Sequence, residues 1–213
     1  MLTFDLSLYL VTDRLLAFGR SLEYVVEEAV KGGVTMVQLR EKNASTKEFY
    51  DLGVSMKNLL RPFNIPLIIN DRLDIALACD ADGLHLGQSD MPYLVARKLL
   101  GKDKIIGLSV ESVQDTIDAN QLEVDYIGIS PVFDTLTKMD TATALGLDGV
   151  REITNISKHP SVAIGGINLS NAIDILKAGA TGISVVSAIM SAADPKESAS
   201  EFKKIITLSR TNV

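Results

Sequence analysis

Short apolar runs rich in β-branched residues alternate along the chain with longer segments whose apolar residues recur at helical spacing. Runs of this length predict buried strands, and the longer segments predict amphipathic helices. The predicted strands are 8–11, 34–39, 67–69, 83–86, 105–108, 126–129, 162–164 and 183–186. The predicted helices are 21–31, 46–60, 91–100, 112–120, 147–156, 170–177 and 195–208.

Strict alternation of strands and helices predicts a parallel sheet, and the number of strands matches a closed barrel. A doubly wound open sheet is the alternative, but its first turn is usually rich in glycine. Here the first strand is followed by Thr12, Asp13 and Arg14. We therefore expect an α/β fold, with residues 1–213 forming a single (β/α)8 TIM-type barrel domain.

The composition is that of a soluble globular protein, with 46% hydrophobic and 23% charged residues. A net charge of −6 argues against a nucleic-acid partner, although a few cations and a metal ion in a pocket could still bind a small anion. The sequence contains no signal-peptide pattern and no apolar run of the ~18 residues that a membrane span needs. We expect a cytoplasmic protein that does not contact a membrane, whose single cysteine, Cys79, is a buried structural thiol.

The polar run from Gln38 to Lys42 directly follows an apolar stretch that predicts a buried strand. It offers an amide from Gln38, a guanidinium from Arg40 and an ammonium from Lys42 at the end of that strand. Such a cluster on a rigid element is typical of a phosphate or diphosphate site. Taken alone, the run could equally be a solvated loop.

Polar residues follow nearly every predicted strand at its carboxyl end, where barrels of this kind bind their substrates. A random distribution would place them at both ends of the barrel, so this asymmetry indicates an enzyme. They are Thr12 and Asp13, Asn70 to Arg72, His85 to Asp90, Ser109, Ser130 to Lys138, Gly165 and Gly166, and Ser187.

Asp71 and Asp90 follow consecutive strands and should be neighbours at this end of the barrel. Two carboxylates close to cationic side chains would suit Mg²⁺ bridged to phosphate oxygens. The alternative for each aspartate is an N-cap, of a helix from Arg72 or of one from Met91. The pair beside Arg40 and Lys42 favours the metal site.

A glycine turn, Gly165-Gly166, follows the seventh predicted strand, and Val186-Ser187 ends the eighth. Barrels commonly bind phosphate at these two positions through backbone N–H groups. His85 fits a core or a catalytic position equally well, and His159 in its loop should be solvated. The sequence has no pattern typical of a serine, cysteine or zinc hydrolase.

These motifs together resemble the thiamine phosphate synthase family. The resemblance covers residues 9–13, 37–42, 70–72, 83–90, 126–128, 131–133, 135–138, 163–167 and 185–189, in order and at the expected spacing. It implies a TIM-type barrel, a transferase, that joins hydroxymethylpyrimidine diphosphate to a thiazole phosphate, or to its carboxylated form, with Mg²⁺ as cofactor. Both partners would be small molecules.

The resemblance also implies roles for individual residues. The pyrimidine-diphosphate contacts would be Gln38, Arg40, Lys42, Asn70, Ser109 and Lys138, and the Mg²⁺ ligands Asp71 and Asp90. The thiazole-phosphate contacts would be Thr135, Thr137, Gly166, Val186 and Ser187, while Leu39, Glu41 and Leu136 complete the binding stretches. Arg40, Ser109 and Lys138 would be catalytic.

Two other functions on the same barrel compete with this interpretation. The thiazole tautomerase branch uses a histidine near the end of strand five, where this chain has Ser109, Val110 and Glu111. A non-catalytic sensor of thiamine precursors would need fewer charges than Asp71, Asp90 and Lys138 provide together. Residues 139–141 and 145–147, in the loop 134–147, depart from the usual family pattern. The sequence does not give the conformation of this loop or the oligomeric state, and a homo-oligomer is compatible with it.

Overall fold

Eight parallel strands close into a barrel in the computed structural model, which describes residues 4–134 and 143–211. Each strand pairs with the next one along the chain, and the last pairs with the first. The strands are β1 (Leu8–Val11), β2 (Met36–Leu39), β3 (Leu67–Asn70), β4 (Gly83–Leu86), β5 (Ile105–Val110), β6 (Tyr126–Ile129), β7 (Ser161–Ile164) and β8 (Gly182–Val185). The predicted (β/α)8 barrel is confirmed.

Helices follow the strands in the order that the sequence predicts. In the described ranges they are α1 (Leu22–Lys31), α2 (Thr46–Leu60), α3 (Leu73–Ala78), α4 (Tyr93–Leu100), α5 (Val113–Ala119), α6 (Gly146–Ile156), α7 (Ala172–Lys177), α8 (Ser187–Met190) and α9 (Pro195–Thr211). The helical pattern did not predict α3 or α8, which are six and four residues long. None of the described helices is long and apolar enough to cross a membrane.

Two helices begin at serine residues that cap them. The Ser21 side chain accepts a hydrogen bond from the backbone N–H of Tyr24 and starts α1. Ser45 and Glu48 form a reciprocal capping box at the start of α2. Such caps satisfy backbone donors that have no partner inside the helix, so these side chains define where both helices begin.

Side chains on the outer face of the strands form the main core with the helices, and those on the inner face fill the barrel. The amino-terminal half of the interior is closed by an apolar and aromatic cluster: Leu6, Tyr9, Met36, Ile68, Ile105, Tyr126 and Val162. The next layer of inward-facing residues, towards the carboxyl ends of the strands, comes from β2, β4, β6 and β8. The pairing registers and the two-residue side-chain period show that its members are Gln38, His85, Gly128 and Ser184. Layers built from alternate strands are typical of this fold.

The ring of Tyr126 occupies space that a side chain on the neighbouring strand would need. A Cβ atom added at Gly107 would lie 2.1 Å from Cζ of Tyr126. Gly107 therefore allows a large aromatic residue to lie flat inside a narrow barrel. This brings the Tyr126 hydroxyl towards the floor of the cavity described next.

Candidate active site

A cavity of about 380 Å³ opens at the carboxyl ends of the strands. Its walls include ten of the residues predicted for the site: Gln38, Arg40, Lys42, Asn70, Asp71, Asp90, Ser109, Gly166, Val186 and Ser187. These residues come from positions up to about 150 apart in the chain, and the barrel brings them together. Convergence at a single cavity is what the strand-end pattern predicts.

The structure places two of the predicted residues elsewhere. Leu39 is fully buried in the core, so only its main chain could meet a ligand. Glu41 turns away from the cavity, and its carboxylate pairs with Arg14 at 3.2 Å. Strand-like alternation explains both, because Gln38, Arg40 and Lys42 point inward while the residues between them point outward. Thr135, Leu136, Thr137 and Lys138 lie outside the described residues.

Two cationic side chains line one side of the cavity. Arg40 is fixed through its backbone N–H, which donates to the Thr12 hydroxyl at 3.0 Å, and its guanidinium is 3.9 Å from Asp13. The Lys42 ammonium donates to Oδ2 of Asp71 at 2.5 Å. Both cations are therefore attached to the end of β2 and directed at the same volume, which suits a polyanionic ligand.

Asp71 and Asp90 do not cap helices, contrary to the alternative for these residues. The helix α3 begins at Leu73 and α4 at Tyr93, and neither receives a side-chain cap. Oδ2 of Asp90 instead accepts from the backbone N–H of Gly87 at 2.7 Å. Asp71 adopts a left-handed backbone with φ of 61°, a conformation uncommon outside glycine that tends to occur at functional sites.

The carboxyl groups of Asp71 and Asp90 contact each other beside Lys42. Burial would raise the pKa of Asp71, but the hydrogen bond from Lys42 and the contact with Asp90 bring it below its ordinary value. Burial and the adjacent carboxyl of Asp71 raise the pKa of Asp90, against the opposing effect of the Gly87 N–H. Two converging carboxyls with opposite shifts form a site that a cation would stabilise.

The donor set of this pair fits magnesium. Mg²⁺ prefers hard oxygen ligands and commonly takes one or two carboxylates, completing its shell with water and substrate oxygens. No group of three or more histidine, cysteine, aspartate or glutamate side chains in the described ranges is arranged to hold a metal ion. A cation at this point would consequently depend on the ligand for part of its coordination.

The opposite side of the cavity is formed by the ends of β7 and β8. Gly166 has φ of 63°, and a Cβ atom there would lie 2.8 Å from Cβ of Phe133, so the turn requires glycine. The side-chain amide of Asn171 donates to the Gly166 carbonyl at 3.0 Å and holds the turn in place. Val186 and Ser187 line the cavity next to it. This part presents backbone groups and a hydroxyl, which suits a smaller anion.

A chain of hydrogen bonds crosses the barrel beneath the cavity. It runs from the Gln38 amide to the Tyr9 hydroxyl, on to the Tyr126 hydroxyl, to Nδ1 of His85, and from Nε2 of His85 to the Ser109 hydroxyl, each link being 2.9 Å. Its two ends, Gln38 and Ser109, are predicted substrate contacts. The sequence analysis missed the roles of Tyr9 and Tyr126. Their only signal was a phenol on the inward-facing side of a strand.

The hydrogen-bond chain couples the orientation of its members. Burial raises the pKa of Tyr9 and of Tyr126, so both phenols keep their protons near neutral pH. When Tyr126 donates to Nδ1 of His85, the ring proton lies on Nε2 and points at Ser109. Because each phenol has a single proton, the direction of one link constrains the next. The hydrogen-bond chain thereby fixes the orientation in which the side chains of Gln38 and Ser109 face a ligand.

We predict that Tyr126→Phe lowers the free energy of unfolding by about 1–3 kcal/mol, because it removes one buried hydrogen-bond partner from Tyr9 and one from His85. Urea unfolding of both proteins measures the difference. Tyr24→Phe is the matched control, since Tyr24 is 51% exposed. Equal stability of the Tyr126→Phe variant and the parent would show that the hydrogen-bond chain contributes nothing to the fold.

Comparison with known proteins places this geometry in context. The model of the thiamine monophosphate synthase family matches residues 8–189. A thiamine-phosphate synthase of Syntrophomonas wolfei is 53% identical over 205 residues, which cover 96% of this chain and 98% of that protein. A thiamine-phosphate synthase of Clostridium novyi is 54% identical over 183 residues, or 86% and 90% of the two chains.

A solved structure is also similar along its whole length. The thiamine phosphate pyrophosphorylase from Pyrococcus furiosus superposes with a TM-score of 0.88 at 42% identity, covering 96% of each chain. The match of the family model and the coverage of these relatives agree with the resemblance that the strand-end motifs indicate. The chain therefore belongs to the thiamine monophosphate synthase family.

Proposed function

We propose that this protein is a thiamine-phosphate synthase, a transferase that joins hydroxymethylpyrimidine diphosphate to thiazole phosphate, or to its carboxylated form, and releases diphosphate. The observation that carries the proposal is a single cavity with two different sets of groups in its walls, cations and carboxylates on one side and a glycine turn with a hydroxyl on the other. Arg40, Lys42 and the aspartate pair suit a diphosphate. The Gly166 turn and Ser187 suit a monophosphate. This matches one substrate of each kind, and the named relatives support the same activity.

The residues divide between the two substrates in this proposal. Arg40 and Lys42 bind the diphosphate, and the polar groups deeper in the cavity, Gln38, Asn70 and Ser109, bind the pyrimidine ring. Gly166, Val186 and Ser187 bind the thiazole phosphate. The stretch from Thr135 to Thr137 would add to the thiazole site, and Lys138 to the diphosphate site, as the family resemblance implies.

Asp71 and Asp90 would hold Mg²⁺ in this site, as the contact between their carboxyl groups supports. When bound, the ion supplies positive charge to the diphosphate oxygens and so makes diphosphate a better leaving group. The ammonium of Lys42 pairs with Asp71, and Lys42 lines the cavity together with both aspartates. The ammonium could therefore contact the leaving group without a large movement.

The reaction needs charge stabilisation and alignment more than acid–base chemistry. The bond between the pyrimidine's methylene carbon and the diphosphate oxygen breaks, and its electron pair leaves with the diphosphate. The lone pair of the thiazole nitrogen then forms the new C–N bond to that carbon. The electron-rich aminopyrimidine stabilises positive charge on the methylene, so a dissociative path is open. Arg40 and Lys42 stabilise the departing charge, and the two anion sites hold the reactants in line.

The direct test is to incubate purified protein with both precursors and Mg²⁺ and to measure thiamine phosphate and diphosphate by chromatography. We expect equal amounts of both products. Interconversion of thiazole isomers without coupling would identify a tautomerase instead. Binding of both ligands without reaction would identify a sensor. Omission of either precursor is the control for contaminating phosphatase activity.

A further inference from the structure

One buried hydroxyl at the cavity has no hydrogen-bond partner within residues 4–134 and 143–211. Ser184 is 2% exposed, and among the side chains that the structure describes its Oγ has no hydrogen-bond partner. A hydroxyl removed from water without a partner is costly, so native proteins rarely keep one without a function. Ser184 is also one of the residues that line the cavity, and its position on β8 directs its side chain into the barrel, towards the volume in which a ligand would bind.

Three other buried polar side chains are engaged in hydrogen bonds. Thr12 accepts from the backbone of Arg40, and Gln38 donates to Tyr9. Thr116, buried at α5, donates to the carbonyl of Ser112. Unlike these three residues, Ser184 has a side-chain hydroxyl that could be satisfied by a bound ligand.

Ser184 lies in the interior of the barrel, on β8. It occupies the same layer as Gln38 and His85, and the fourth member of that layer is Gly128, which has no side chain. Ser187, at the monophosphate side, is three residues further towards the mouth on the same segment. This layer has no lysine, arginine, aspartate or glutamate side chain, so it suits an uncharged part of a ligand.

We propose that the Ser184 hydroxyl donates a hydrogen bond to a ring nitrogen of the aminopyrimidine and so selects this heterocycle, an inference that rests on the proposed function. The pyrimidine is the uncharged end of its substrate and carries two ring nitrogens that accept hydrogen bonds. The thiazole nitrogen has to stay free because it is the nucleophile. A serine hydroxyl that has no acceptor inside the protein has its proton available for the pyrimidine.

The first test is Ser184→Ala, measured by steady-state kinetics and by thermal unfolding. We expect kcat/KM for the pyrimidine diphosphate to fall about tenfold, because the ring nitrogen loses its donor in a buried site. The KM for thiazole phosphate should stay unchanged. The melting temperature should stay equal or rise, because the unpaired hydroxyl is removed from the ligand-free protein. A merely structural serine would lower the melting temperature and leave the kinetics of the folded fraction unchanged.

The second test uses pyrimidine-diphosphate analogues in which one ring nitrogen is replaced by C–H. For one of the two positions, we expect the parent protein to lose about tenfold in kcat/KM and the Ser184→Ala variant to lose almost nothing further. Thr116→Val is the control, since it removes a buried hydroxyl far from the cavity and should lower stability without changing discrimination.

The outcomes separate this inference from the function on which it depends. A parent protein that forms no thiamine phosphate would contradict the proposed function before Ser184 is tested. An active parent whose Ser184→Ala variant keeps its kcat/KM and discriminates both analogues as before would overturn the role of Ser184 alone. A raised KM for thiazole phosphate in the variant would also overturn it, since the hydroxyl would then belong to the other substrate.

Discussion

Asp71→Asn should lower turnover about 100-fold at limiting Mg²⁺ and recover part of it when Mg²⁺ is raised. The change removes one of two anionic oxygen ligands and replaces it with a neutral amide, which weakens Mg²⁺ binding while leaving the shape of the residue intact. Asparagine tolerates the left-handed backbone that Asp71 adopts, so the fold should survive. The measurement is turnover as a function of Mg²⁺ concentration for both proteins.

Asp74→Asn provides the control for this experiment. Asp74 is on the same loop and helix segment, but its carboxylate is 59% exposed and pairs with Arg72 rather than with the cavity. Its replacement should leave the Mg²⁺ dependence unchanged. If Asp71→Asn retained full turnover at limiting Mg²⁺, the assignment of this aspartate to the metal site would be wrong.

Arg40→Gln should reduce kcat/KM for the pyrimidine diphosphate by about 100-fold to 1,000-fold. A guanidinium can form two parallel charge-assisted hydrogen bonds to phosphate oxygens, and glutamine of similar length can supply only neutral ones. Since charge develops on the leaving diphosphate, most of the loss should be in kcat rather than in KM. Steady-state kinetics and inhibition by free diphosphate would measure both effects.

The matched variant is Arg61→Gln, because Arg61 is exposed and lies before β3, at the amino-terminal end of the strands. It removes the same charge without touching the cavity, so kinetics and diphosphate inhibition should not change. An Arg40→Gln variant that behaved like Arg61→Gln would exclude Arg40 from the diphosphate site.

The location of the site could be predicted from the sequence because a closed barrel brings the carboxyl ends of all its strands together. The orientation of individual side chains could not be predicted as well. Asp71 and Asp90 needed only to follow consecutive strands to meet in space, whatever the length of the helix between them. The prediction that Leu39 and Glu41 belong to the binding site did not hold for their side chains. They lie between true cavity residues, and the two-residue period turns their side chains outward.

The interior of the barrel could not be predicted from the sequence in the same way. Tyr9 and Tyr126 are 117 residues apart, and their contact depends on how far each strand is shifted relative to its neighbour. Strand pattern alone does not give that shift, because every register that keeps the apolar face buried satisfies it. The unpaired hydroxyl of Ser184 could not be predicted from the sequence for the same reason, since the layer around it is formed by four different strands.

The backbone of Asp71 restricts which residues evolution can try at that position. Its left-handed conformation, with φ of 61°, is easily adopted by glycine and tolerated by asparagine and aspartate. Glycine would relieve the strain but has no ligand atoms. Selection for stability alone should therefore drift towards glycine here, and selection for turnover should return to aspartate. Aspartate thus meets both the backbone requirement and the ligand requirement at position 71.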